Sequence, residues 1–173
     1  MRLKFVRCMV GCAVGDALGA GCGVFCGRWT DDTHMMIGVA ESLISSKGFD
    51  GNHMAQTFVK NYKLEPWRGC AAGPPRFSGG LRLGSHGTRL LRGFLASRLL
   101  WKRGGYILFP TKLPKLQRGG CLCRKLGGDR DTIGAMTGAI SGAYHGLNAI
   151  PHEWLSKLEK RFYIEKLAEA SGN

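Results

Sequence analysis

Two short stretches of this chain hold its chemistry-bearing residues. Asp129-Arg130-Asp131-Thr132 sets two carboxylates one residue apart, then a hydroxyl, directly after Gly127-Gly128. Trp29-Thr30-Asp31-Asp32-Thr33 repeats that grammar, with threonines flanking two adjacent acids. Behind each lies an apolar run of helical period: Met35, Met36, Val39, Ala40, Leu43 and Ile44 after Asp31 and Asp32, Ile133, Met136, Ala139, Ile140 and Ala143 after Asp129 and Asp131. Acids and hydroxyls at a helix start are ordinary caps, and Thr30 or Asp31, and Asp129 or Asp131, suit that role. Judged alone, each stretch reads as a capped helix with a polar entry. Taken together, two helix N-termini offer four carboxylates and two threonine hydroxyls to one site. Oxygen-only ligation suits hard cations such as Mg²⁺, Mn²⁺ or Ca²⁺ rather than zinc. The positive ends of the two helix dipoles favour the ionised acids.

Positioning these ends requires helices on either side. Residues 4–21 carry Phe5, Val6, Met9, Val10, Ala13, Val14 and Leu18 at near-helical spacing, with Asp16 among small residues inside the run. Hydrogen bonding to a neighbouring helix end is the first reading of Asp16, ahead of catalysis. The Thr30 helix extends to about Ser46; another runs from about Asn52 to Tyr62 and stops at Glu65-Pro66, because a residue before proline resists the α region. Met35 and Met36 read as core, and His34 as satisfied or solvent-facing. Behind Asp131, Gly134, Gly138 and Gly142 recur every four residues, which predicts one helix face pressed against another helix. Asn148-Ala149-Ile150-Pro151 then turns the chain into a helix with His152, Trp154, Leu155 and Leu158 on its buried side, followed by an amphipathic segment over 161–170.

Three motifs in this order resemble the ADP-ribosylglycohydrolase family: Gly15-Asp16-Ala17-Leu18-Gly19-Ala20; Gly27-Arg28-Trp29-Thr30-Asp31-Asp32-Thr33; and Gly128-Asp129-Arg130-Asp131-Thr132-Ile133-Gly134-Ala135-Met136 with Gly138-Ala139-Ile140 and Gly142-Ala143-Tyr144. The resemblance implies an all-α, orthogonal helical domain with two Mg²⁺ ions between helix ends, Mn²⁺ being a substitute. By position, Thr30, Asp31, Asp32 and Asp131 would hold one ion, and Asp129, Asp131 and Thr132 the other, with Asp131 bridging. Asp31, Asp32 and Asp131 are the residues assigned to catalysis. Gly84-Ser85-His86-Gly87 and Ser78-Gly79-Gly80-Leu81-Arg82 both stand as counterparts of the glycine-rich loop that holds ADP-ribose; Gly84, Ser85 and His86 are the substrate-binding candidates. Two departures stand out. The loop Cys22 to Arg28 contains no acid, where the family supplies one near the scissile bond. Arg130 occupies a position that the family usually gives to a small or hydroxyl residue; it can face outward, meet a diphosphate, or pair with Asp129 or Asp31.

The 173 residues suffice for one domain, about half the length that the resemblance implies, hence a shortened copy. Residues 1–66 and 127–173 read as family-like, and 67–126 as a divergent middle expected to be the least ordered part. The net charge of +13 lies entirely in that middle: residues 63–128 hold fourteen Lys and Arg against one acid, Glu65. Arg76, Arg82, Arg89, Arg92, Arg98, Lys102 and Arg103, with Trp101 and Tyr106 for stacking, allow a nucleic-acid reading, but no recognition motif accompanies the charge, so no specific nucleic acid is expected. Leu90, Leu91, Phe94, Leu95 and Leu99 suggest a helix over 88–101. Seven cysteines, without a secreted framework's spacing or zinc-finger partners, favour a reducing compartment. No apolar run could span a membrane and residues 1–10 do not read as a leader, so a cytoplasmic monomer is expected.

The implied function is hydrolysis of the glycosidic bond at the ribose C1″ of ADP-ribose, releasing it from a modified protein or a small acceptor. The rival readings are a catalytically inactive remnant or a crystallin-like structural relative, and behind these a basic nucleic-acid-binding protein.

Overall fold

The computed structural model describes residues 2–21, 25–69 and 129–172. Among them the regular structure is entirely helical: α1 (Arg2–Ala20), α2 (Asp31–Ser46), α3 (Gly51–Leu64), α4 (Arg130–His145), a 3₁₀ turn (Leu147–Ala149), α5 (His152–Lys157) and α6 (Arg161–Ser171). The expected all-α class is what the described residues show.

Helix α1 is the central strut. From Met9 to Gly19 all but Cys12 are buried, and the helix can be enclosed because its two sides differ in bulk. Val6, Val10 and Val14, with Ala13 and Ala17, enter a core completed by Phe25, Trp29, Ile37, Leu155, Leu158 and Ile164. The glycine side lies backbone to backbone on α4. A Cβ on Gly15 would fall onto the carbonyl of Gly134, one on Gly11 onto that of Gly138, and one on Gly142 onto the carbonyl of Arg7. Glycines four residues apart thus interlock, as the period in α4 predicts. Only a side chain of hydrogen permits that approach.

Helix α2 ends where Lys47 turns left-handed (φ 51°), with its own N–H and that of Gly48 returned to the carbonyls of Ile44 and Leu43. Helix α3 starts at a capping carboxylate, Asp50, which accepts from the backbone N–H of Asn52 at 2.9 Å and His53 at 3.1 Å. The two helices meet where the Phe58 ring lies over Gly38. That choice of face turns Met35 out to solvent at 40 % exposure, against the core role expected for it, while Met36 packs on the core. His152 is exposed as well: α5 has six residues and buries only Leu155.

Gly27 decides where α2 begins. It has φ 75°, and a Cβ there would meet the carbonyl of Lys157, so the chain before α2 runs flush against the end of α5. Among the described residues no helix is long and apolar enough to cross a membrane. The divergent middle (save 67–69), the helix expected over 88–101, the basic and aromatic residues from Arg76 to Tyr106, and Cys22, Cys121 and Cys123 lie outside the described residues.

Candidate metal centre

Asp16 is the floor of the site. It is fully buried in α1, beneath the start of α2. Its Oδ2 accepts from the Oγ1 of Thr33 at 2.6 Å and the N–H of Thr33 at 3.0 Å, and its Oδ1 accepts from the Oγ1 of Thr30 at 2.7 Å. The Thr30 N–H also points at this carboxylate, 3.0 Å from Oδ2. Thr30 stands at the N-cap position of α2 but makes no side-chain cap bond. The capping oxygen comes instead from another helix: Asp16 accepts the Thr33 N–H, one of the orphan donors of α2. Asp16 therefore plays the structural role that its sequence setting suggests.

Above this floor the two acid-bearing ends meet. One carboxylate oxygen from each of Asp31, Asp32 and Asp131 lies within 4.8 Å of the others. The Thr132 Oγ1 donates to Asp32 Oδ2 at 2.9 Å, and the Thr30 Oγ1 stands 3.4 Å from Asp131 Oδ2. Backbone packing brings the ends this close: a Cβ on Gly19 would collide with the carbonyl of Arg130 and the Cα of Asp131. Asp129 is at the N-cap position of α4, again without a cap bond, and exposed at the rim.

Crowding of like charges in a half-buried pocket perturbs these acids. Burial pushes the Asp32 carboxyl up to about 7, with the charges of Asp16, Asp31 and Asp131 adding to it against the hydrogen bond from Thr132. Burial raises Asp31 as well, with the charges of Asp131, Asp16 and Asp129 adding to it. The carboxyl of Asp129 is raised and that of Asp131 lowered, each chiefly through its interaction with the other.

A hard divalent cation fits this donor set. The ligands are oxygens only, and among the described residues none of these acids is ion-paired to a Lys, Arg or His. Arg130 does not take the place of a cation: its side chain is exposed, with no ion pair among the described residues. Helical geometry is the reason: successive side chains lie about 100° apart around a helix, so with Asp131 turned to the site its neighbour Arg130 points away from it. Thr30, Asp31, Asp32, Asp131 and Thr132 converge; Asp129 stands at the edge; Gly84, Ser85 and His86 lie outside the described residues. His34 is 7 % exposed, its Nε2 3.7 Å from Glu65 and its ring tilted on Trp29, so it is a satisfied histidine away from the acids.

The sequence assigns no role to Arg68, which stands in the family-like stretch Glu65-Pro66-Trp67-Arg68-Gly69. It is 6 % exposed, its guanidinium stacked 3.7 Å from the centre of the Trp29 ring. Nη1 and Nη2 donate to the two carboxylate oxygens of Glu159 at 2.8 and 2.7 Å, Nη1 also reaches the Trp29 carbonyl at 3.2 Å, and Glu65 accepts from Nε and Nη2. Glu65 three residues earlier was the available signal; Glu159 was not legible, being 91 residues away.

The ADP-ribosylglycohydrolase family model matches residues 1–124 and 106–172, two segments that together run almost the whole chain. The chain belongs to the ADP-ribosylglycohydrolase family. Its similarity to individual family members is local. ADP-ribosylhydrolase ARH3 of Xenopus tropicalis is 53% identical over 45 residues, 26% of this chain and 13% of that protein. The ADP-ribosyl-[dinitrogen reductase] glycohydrolase of Rhodospirillum rubrum is 51% identical over 35 residues, 20% of this chain and 12% of that protein. A solved ADP-ribosylglycohydrolase-related protein complex superposes with TM-score 0.61 at 25% identity, covering 98% of this chain and 97% of the solved one.

Proposed function

We propose that this chain is a metal-dependent hydrolase that releases ADP-ribose from a modified protein or a small acceptor by cleaving the bond at the ribose C1″. The observation that carries the reading is the convergence of Asp31, Asp32 and Asp131 from two helix starts, in a member of a glycohydrolase family. Both similar proteins are named for acting on ADP-ribosylated material, which supports the substrate class. Asp31, Asp32 and Asp131 with Thr30 would hold one Mg²⁺ or Mn²⁺; Asp131, Asp129 and Thr132 would hold a second. Bound there, a divalent pair would supply Lewis-acid polarisation and make water more acidic. The chain's own share is geometric: the Asp16 floor locks the α2 start, and the glycine contact at Gly19 brings the α4 start against it. The ribose hydroxyls are the groups of ADP-ribose suited to such a site.

One observation favours a second reading, binding of ADP-ribose without turnover. No acid lies between Asp16 and Asp31, and Asp16 is occupied by the amides and hydroxyls of Thr30 and Thr33. General acid–base help must then come from elsewhere or be lacking.

Calorimetric titration with ADP-ribose, with and without Mg²⁺, followed by a release assay on ADP-ribosylated protein, separates the cases. Mg²⁺-dependent binding with release supports the hydrolase, and binding without release supports the second reading. Absence of any Mg²⁺-dependent binding would sink both.

A further inference from the structure

We propose that Arg68 is a positioning residue for the metal arm of α2: its guanidinium holds the backbone at Trp29, and with it Thr30 and Asp31, in register with α4. This rests on the metal-site reading above.

Three segments distant in sequence meet at Arg68. From the turn that follows α3 it hydrogen-bonds the carbonyl of Trp29, the residue immediately before Thr30, and covers the Trp29 ring. On its other side Glu159 is held two-pronged by the guanidinium, and the backbone around Glu159 returns to the same segment: Glu159 N–H donates to the Gly27 carbonyl at 3.1 Å, and Trp29 Nε1 donates to the Glu159 carbonyl at 2.9 Å. Residues 27–29 are thus strapped on both sides. The next residue in the chain, Gly69 (φ 84°), lies beside Asp31, where a Cβ would come 3.9 Å from Asp31 Oδ1. Lys160 and His34 complete the cluster through Glu65, at 2.7 and 3.7 Å.

The arrangement suits arginine and not lysine. A planar fork can bind a carboxylate in two places, reach a carbonyl and stack on an indole at once, whereas an ammonium is a point charge. Such outer groups orient metal ligands without touching the metal.

Electrostatics and positioning give opposite signs, which makes the idea testable. Deleting a cation near the site, and thereby leaving Glu65 and Glu159 with fewer counter-charges, should by Coulomb's law alone tighten divalent cation binding. Loss of positioning should weaken it. The experiment is Mn²⁺ titration, followed by electron paramagnetic resonance and calorimetry, of the wild-type chain and of Arg68→Met and Glu159→Gln, each checked for native helicity by circular dichroism. The expected result is an affinity about tenfold or more weaker in Arg68→Met, within the range for outer-shell partners, and a smaller loss in Glu159→Gln. Unchanged or tighter binding in a helical Arg68→Met overturns the proposal while leaving the metal site standing. If Arg68→Met does not fold, Glu159→Gln decides by the same criterion. A wild-type chain that binds no Mn²⁺ removes the metal reading, and this one with it.

Discussion

Thr132 and Asp32, 100 residues apart in the chain, share a hydrogen bond of 2.9 Å from hydroxyl to carboxylate. That contact ties the first turn of α4 to the first turn of α2 and sits between the acids assigned to the metal. The acids should therefore differ in what their loss costs. Asp32→Asn and Asp131→Asn should weaken Mg²⁺ binding by more than the roughly 10–100-fold typical of outer-shell changes, and Asp129→Asn, at the exposed rim, by less. Calorimetry on the three variants checks the order; equal effects at all three would contradict the geometry.

Asp16 should matter for folding more than for chemistry. Asp16→Ala strands the amide and hydroxyl of Thr33, both buried, and loosens Thr30. Unsatisfied buried donors of this kind cost roughly 3 kcal/mol in total, which for a chain of this size corresponds to a melting temperature about 6–12 °C lower. Thermal melts of wild type and variant measure it, and a shift under about 2 °C would mean that water replaces the carboxylate.

The α1–α4 contact can be tested with one methyl group. Gly15→Ala places a Cβ on the Gly134 carbonyl, with backbone on both sides and nowhere to go. Separation of the helices should cost several kcal/mol, of the order seen for severe overpacking or more, and should disperse the acids. Gly51→Ala is the control: its Cβ would meet only Phe49, at 3.7 Å, and the change should be neutral or stabilising by about 0.5 kcal/mol. Denaturant midpoints of the two variants settle the comparison.

Stability of the metal-free chain should peak on the acid side of neutrality. Asp32 titrates near 7 when folded against 3.8 in a free carboxylate, so between these values the folded state binds more protons and stability falls as pH rises, levelling off above about 7. Glu159 behaves oppositely. The hydrogen bond from Arg68 holds it below 4.5, so its contribution is present above that value and is lost as pH drops further. Glu65 follows the same sign: burial pushes it up, but hydrogen bonds from Lys160 and Arg68 prevail. Saturating Mg²⁺ should remove the fall between pH 5 and 7, since the cation takes over from the proton. Melting temperature against pH, with and without Mg²⁺, tests both limbs; a metal-free profile flat from about pH 5 to 8 would refute the crowding of acids.

Much was legible in the chain because it is written locally. Apolar period marked α1, α2 and α3 to within two or three residues at each end, proline and glycine marked where they stop, and the fourfold glycine spacing marked the close face of α4. The acids at 31–32 and 129–131 announced themselves by type and spacing, since oxygen donors at helix starts are a recognisable pattern. Tertiary structure alone decided which oxygen caps α2, because the donor to be satisfied and the carboxylate that satisfies it belong to different helices. It likewise turned Met35 to solvent and His34 inward, as the face that packs depends on which neighbour arrives. Arg68 is the clearest case. In the sequence it is one of fourteen basic residues in the stretch 63–128; in the fold it is buried between Trp29, Glu65 and Glu159. A charge run reports only that cations are present. Burial and partners come from segments that the chain brings together when it folds.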